Sequence, residues 1–419
     1  MYERTILDNG LRVVTGELPH THSASVSIFV GAGSRYEGDE RAGVSHFLEH
    51  MLFKGTERRP TPREVSAEIE GIGGLMNAAT DKELTVYWVK VGDQHFEHAL
   101  EVLADNLLHS RFEPSEIEKE RQVIVEELDM TEDSPADLVG LLIDEVLWPD
   151  QPLGRDAGGS RASVKALERP DLLEYLQGQY VPENAVLAVA GNVTHDTVVR
   201  SASKHLGNWA RSTFGTWQPA INGQTAPRVR VRQKKTEQAH VCLGLPGYGG
   251  DHPDRFALDV LNTVLGDGMS SRLFEEIRER RALAYDVHSY VERFADTGSL
   301  VVAASVEPRK AVETVEVILQ ELDGLKKPVP EAELTKAREY MKGRLQLRME
   351  DTGATASWLG RQELLKKHIL SVDEVLNILD GVTSADLLRV ADDLLRPELV
   401  NVAVVGPFRS AARFEAAVR

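Results

Sequence analysis

The stretch GVSHFLEHMLFKGT, Gly43 to Thr56, decides how the rest of the chain is read. His46 and His50 are four residues apart, so on a helix they stand one above the other on a single face. Glu49, three residues past His46, shares that face. Two neutral imidazoles one turn apart can hold one zinc ion. A neighbouring carboxylate that is not a ligand can take a proton from the water that such an ion activates. The order His-x-x-Glu-His inverts the commoner His-Glu-x-x-His. With 13 histidines and 66 acidic residues in 419, a chance match has odds of about 0.1 or less. The competing reading is a half-buried helix with two surface histidines, and the remainder of the chain has to choose.

A chain of 419 residues needs more than one hydrophobic core. Hydrophobic content of 42% beside 27% charged residues describes a soluble globular protein. No apolar run reaches the roughly 18 residues of a membrane span, so no membrane partner is expected. The opening MYERTILDNGLRVVTGELP reads as strand, Asn-Gly turn, strand, without the basic and apolar regions of a secretory signal. One cysteine, Cys242, excludes an intrachain disulfide, and a reducing, cytoplasmic location is the expectation. The net charge of -18 argues against nucleic acid and suits basic peptides.

Taken in order, strands are expected over Thr5 to Thr15, folded at Asn9-Gly10, then over Ala24 to Val30, Asn77 to Ala79 and Thr85 to Val91. Helices are expected from Gly43 to Lys54, Pro62 to Glu70, Phe96 to Leu108 and Ser115 to Met130, with Ser115 and Glu118 spaced as a capping box. Helical periodicity returns at Pro135 to Leu147 and Leu172 to Gln179. An apolar strand NAVLAVAGNV, a helix from Thr194 to Leu206 and the polar stretch TFGTWQPAINGQTAPRVR follow, the last read as a linker.

The second half repeats the first at an offset of about 215 residues, placing Val26, Ile28 and Gly191 on Val241, Leu243 and Gly406. The expected fold is therefore α+β, with a zinc-binding domain over 1–215, a linker over 216–230 and a homologous domain over 231–419. Each is a mostly antiparallel sheet with helices packed on one face. At that offset His46, Glu49 and His50 fall on Leu261, Val264 and Leu265. The second copy has no donors there, and one zinc per chain is expected.

A catalytic zinc takes a third protein ligand. The candidates are carboxylates of EIEKERQVIVEELDM, where Glu120 and Glu127 are seven apart and share a helix face. Glu126 points about 100° away. Spacing alone leaves Glu120 and Glu127 level.

Together these stretches resemble the pitrilysin-type inverzincin zinc metallopeptidases, the family of insulin-degrading enzyme, mitochondrial processing peptidase and short two-domain bacterial relatives. The resemblance runs through NGLRVV, GVSHFLEHMLFKGT, GGLMNAATDKELTVYW, ERQVIVEEL, PLGR and NAVLAVAGNV, then LFEEIRERRALAYDV in the second half. It implies Glu127 as third ligand, 77 residues past His50 in the frame ERxxxxxE, with Glu126 at an alternative spacing. It implies Glu49 as the base and Glu120 as the carboxylate that steadies a zinc-bound histidine. Asn77, Ala78 and Ala79 match the edge strand on which the family's peptides lie as an added strand. Arg278 and Tyr285 match an Arg and Tyr that donate to the substrate carbonyl. The implied activity is a zinc endopeptidase acting on peptides or unfolded segments inside a chamber of four such domains, which two copies of this chain would complete as a homodimer. A non-catalytic or partner-dependent structural subunit is the family's other outcome, and the intact His46, Glu49, His50 and Glu127 argue against it.

Overall fold

The computed structural model describes residues 2–366 and 368–419. The chain divides into two units. One comprises Met1–Leu128, Asp156–Gln218 and Gln346–Ser371; the other comprises Asp129–Arg155, Pro219–Leu345 and Val372–Arg419.

In the first unit, β1 (Glu3–Ile6), β2 (Arg12–Glu17), β3 (Ser23–Val30), β4 (Leu75–Thr80), β5 (Thr85–Gly92) and β6 (Ala185–Gly191) form one sheet in the order β1-β2-β6-β3-β5-β4. The β2–β6 pair is parallel and the other pairs are antiparallel. Side chains alternate across the sheet, as the two-residue repeat of a strand demands. Val13, Ile28, Val89 and Leu187 enter a core with Phe47 and Leu48 of the motif helix. Val14, Phe29, Val186 and Ala188 point the other way and meet Leu359 and Ile369. Strand β6 is therefore buried along its whole length, which explains its unbroken apolar sequence.

In the second unit, β7 (Arg228–Gln233), β8 (Ala239–Gly247), β9 (Ala284–Arg293), β10 (Gly298–Val306) and β11 (Asn401–Gly406) take the order β7-β11-β8-β10-β9. That is the order of β2-β6-β3-β5-β4, again with one parallel pair, β7 with β11. The internal repeat is thus one topology used twice. Its helix Arg255–Leu265 carries Leu261, Val264 and Leu265, all buried.

The units are not the two contiguous halves expected from the repeat. Helix Pro135–Leu147 belongs to the second unit, where Leu142 and Ile143 pack with Cys242, Ala403 and Val405. Helix Thr352–Leu365 belongs to the first, against β2, β3 and β6. Each sheet thereby gains a helix on the face opposite its main helical layer. The physical reason is that both faces of β6 and β11 are apolar and need cover. Two smaller expectations also shift. Arg228 to Arg230 lie in β7, inside the stretch read as linker. Pro114 opens the helix Pro114–Asp133, so Ser115 sits within its first turn. Among the described residues no helix is long and apolar enough to cross a membrane.

Helix Thr352–Leu365 approaches β3 closely because Gly360 has no side chain: a Cβ there would stand 2.2 Å from the Phe29 ring. Gly360→Val is expected to destabilise the protein by about 1–3 kcal/mol through overpacking. Gly178→Ala, in a helix with open space around it, is expected to be neutral or to stabilise by up to about 1 kcal/mol. Denaturant midpoints measure both, and equal effects would contradict the placement of the exchanged helix.

Candidate metal centre

The motif forms the helix Val44–Met51. Gly43 precedes it at φ 93°, a left-handed conformation that favours glycine. A Cβ there would also meet the Gly158 carbonyl oxygen at 2.5 Å, so only glycine lets the 158–159 loop close on the helix start. The helix's first free amides meet a buried carboxylate: Glu37 accepts from Gly43 N–H at 2.7 Å and from Ser45 N–H at 2.9 Å. Negative charge at that end also complements the helix dipole. Val44, Phe47, Leu48 and Met51 are buried. With that face committed to the core, His46, Glu49 and His50 are presented together on another.

His46 Nε2 and His50 Nε2 lie 3.3 Å apart. Glu127, reaching in from helix Pro114–Asp133, places Oε2 at 3.8 Å from the first and 3.5 Å from the second. Ligand atoms about 2.0–2.1 Å from a tetrahedral zinc are separated by about 3.3 Å. The three donors therefore fit a shared ion. Among the described residues they form the one group of three or more such side chains close enough to hold a metal. Glu126 does not join them; it lines a surface cleft with Arg121, Gln122 and Lys165.

The second carboxylate of that helix explains which nitrogen of His50 faces the centre. Glu120 is buried, with Oε2 at 3.0 Å from His50 Nδ1 and Oε1 at 2.7 Å from Lys54 Nζ. Burial alone would raise its pKa, but the bonds to His50 and Lys54 outweigh this and hold it below the ordinary carboxylate range. An ionised carboxylate only accepts hydrogen bonds, so His50 Nδ1 carries the proton and Nε2 keeps its lone pair for the centre. His46 is pulled down to about 4, first by burial and then by the proximity of the second imidazole, since two protonated rings so close would repel. Its ring is therefore neutral near pH 7, as a metal ligand must be.

Glu49 stays outside the donor set. Its Oε2 is buried without a hydrogen-bond partner, and burial raises its pKa despite hydrogen bonding to Thr80. Thr80 ends β4, the outermost strand of the sheet, which pairs only with β5. Asn77 and Ala79 are exposed along β4 and Ala78 half-buried, and Asn77 accepts from Ala78 N–H at 2.8 Å. Arg278 and Tyr285 belong to the second unit. They stack on each other, with the guanidinium 4.5 Å from the Tyr285 ring centre and 4.8 Å from that of Phe274. Tyr285 is 78% exposed at the start of β9.

Three residues of the centre carried no assignment from the sequence: Glu37, Lys54 and Thr80. A signal existed for two. Lys54 lies four residues past His50, one helical turn on, and Glu37 lies just ahead of the helix start. Thr80 becomes visible only once β4 is set beside the helix.

Comparison with known proteins finds relatives along most of the chain. Residues 12–160 match the family described as insulinase (peptidase family M16), and residues 166–341 match the one described as peptidase M16 inactive domain. The chain is 40% identical to an uncharacterized zinc protease of Mycobacterium leprae, over 97% of this chain and 92% of that one. It is 36% identical to an uncharacterized zinc protease of Bacillus subtilis, over 97% and 98%. Among solved structures, a protease from Helicobacter pylori aligns with a TM-score of 0.92 at 25% identity, over 97% of this chain and 99% of that one. A peptidase M16 inactive domain from Pseudomonas fluorescens aligns with a TM-score of 0.90 at 17% identity, over 98% and 99%, a likeness of fold alone.

The pairing of Lys54, Glu120 and His50 has a measurable consequence. Glu120→Gln is expected to weaken zinc affinity by about 10–100-fold. Lys54→Met, which removes the cation that keeps Glu120 ionised, is expected to weaken it less, in the same direction. Competition against a chromogenic chelator measures both, and affinities equal to wild type would contradict the assignment.

Proposed function

The chain belongs to peptidase family M16, and from that premise we propose that it is a zinc-dependent endopeptidase that hydrolyses extended peptides. The observation that carries the reading is the cluster of His46 Nε2, His50 Nε2 and Glu127 Oε2 at 3.3–3.8 Å, with Glu49 beside it and outside it. His46, His50 and Glu127 would hold the ion, which when bound supplies Lewis acidity toward the substrate carbonyl and toward water. One ion per chain is supported by the buried apolar residues at the equivalent positions of the second unit.

The protein's own groups supply the rest. Glu49 accepts the proton of the attacking water at its unpartnered Oε2 and passes it to the leaving amine. Thr80 orients the Glu49 carboxyl by hydrogen bonding. The open edge of β4 offers its backbone to a peptide that adds as a further strand, which aligns an extended chain beside the centre. Arg278 and Tyr285 donate to the substrate carbonyl oxygen as negative charge builds on it. In this reading they act on the centre of a partner copy in a homodimer, the simplest closure for a two-domain chain. The charge of -18 favours basic peptides.

Separating base from ligand tests the chemistry. Glu49→Gln is expected to abolish hydrolysis of a basic peptide while zinc stays near one per chain. Glu127→Gln should lower zinc content itself. Metal loss as large in Glu49→Gln as in Glu127→Gln would reverse the two roles.

Mixing two inactive chains tests the sharing of the centre. Glu49→Gln and Arg278→Ala are each expected to be nearly inactive alone. A mixed dimer would contain one whole centre, so after subunit exchange activity should return to about a quarter of wild type. Demonstrated exchange with no gain would exclude sharing.

A further inference from the structure

The face of the first sheet opposite the metal centre holds a cavity of about 330 Å3, roofed by the first turns of helix Thr352–Leu365. That volume lies at the lower end of the range for small-molecule sites. Its floor is built in cross-strand rows. Ser27 pairs with Trp88 and Trp88 with Asn77; Phe29 pairs with Val86 and Val86 with Ala79; Ser25 pairs with Lys90 and Lys90 with Leu75. The floor of the cavity is thus the β5 surface that holds the edge strand β4 in register.

The groups around the cavity that can donate to a ligand are two cations, an indole N–H and serine hydroxyls, which can also accept. Ser27 is 4% exposed, and among the described residues its hydroxyl has no hydrogen-bond partner; the same is true of the Ser357 hydroxyl and the Trp88 indole N–H. Lys90 uses one ammonium proton, on Asp351 Oδ2 at 2.5 Å. Arg361 directs two nitrogens at a single Asp81 oxygen, at 3.3 and 3.4 Å. Asp351, the one carboxylate in the wall, is already engaged through both oxygens, by Lys90 and by Ala354 N–H. The positive end of the helix dipole favours an anion here. Phe29, Val86 and the 62%-exposed Leu75 supply apolar wall.

We propose that this cavity binds a small carboxylate with an aromatic or branched aliphatic body. The carboxylate accepts from Ser27, Trp88 and the cations, and the body lies against Phe29, Val86 and Leu75. Because the bound molecule rests on the strand that registers β4, it tunes how β4 receives a peptide. This second part rests on the proposed role of β4, whereas binding itself does not.

The probe is 4-phenylbutyrate, titrated by calorimetry into the full chain, with 4-phenylbutanamide and 4-phenylbutylamine as neutral and cationic controls. The carboxylate is expected to bind with a dissociation constant of about 0.1–1 mM and at least about tenfold more tightly than either control. Trp88→Phe, which keeps the ring and removes the N–H, should weaken it about threefold to tenfold. Ser357→Phe should fill the cavity and abolish binding, with the melting temperature showing that the fold persists. No binding, equal binding of the three probes, or binding indifferent to both substitutions would overturn the site. With the site occupied, the KM for peptide should change about twofold or more while kcat holds; carboxylate binding with peptide KM unmoved would overturn the coupling. Carboxylate-selective binding in a protein that hydrolyses no peptide would count against the peptidase reading and not against the cavity.

Discussion

Two imidazole nitrogens facing each other at 3.3 Å set the terms for the first unit. Both rings are partly buried, and burial drives the proton off His46. Neutral rings so placed point lone pairs at one another, an arrangement that is unfavourable unless a proton or cation lies between them. The surroundings maintain it from three directions. Gly43 lets the 158–159 loop close on the helix start, Glu37 ties down the helix's first amides, and Glu120 with Lys54 fixes the tautomer of His50. Glu127 then supplies the negative charge that a divalent ion between the rings would need.

The second unit shows what the same topology looks like without that demand. Its strands run in the same order, yet the equivalent helix turns Leu261, Val264 and Leu265 into the core. At the start of its β9, Tyr285 stacks with Arg278. In the first unit, β5 connects two kinds of surface. Tyr87 and Val89 face the core that carries the motif helix, while Val86, Trp88 and Lys90 face the cavity under helix Thr352–Leu365.

The repeat, the motif helix and most strands were legible because each leaves a local pattern: a two-residue alternation, a helical face or an Asn-Gly turn. The choice between Glu120 and Glu127 was not legible from spacing. Glu120 and Glu127 share one helix face, and what separates them is which nitrogen each meets. Glu120 reaches His50 Nδ1 from within the protein, whereas Glu127 reaches the Nε2 atoms from the half-exposed side. The resemblance put Glu127 first where periodicity could not, and in the structure Glu127 is the carboxylate that approaches both Nε2 atoms. The exchange of helices Pro135–Leu147 and Thr352–Leu365 was illegible for another reason. An amphipathic helix announces that it needs a partner surface, not which of two equivalent sheets provides it. Helix Thr352–Leu365 announces even less, since small residues such as Gly353, Ala356 and Gly360 line its approach to the sheet. Strand β7 was hidden because Arg228, Arg230 and Arg232 alternate with valines on an edge, where charge is tolerated and imitates a polar linker.

X-ray absorption at the zinc edge, on protein loaded with one equivalent of zinc, tests the central claim most directly. The account predicts a first shell of two imidazole nitrogens at about 2.0–2.1 Å with oxygen in the remaining positions and no sulfur. A shell with a single histidine, a sulfur scatterer from Cys242, or a spectrum identical in Glu127→Gln would contradict it.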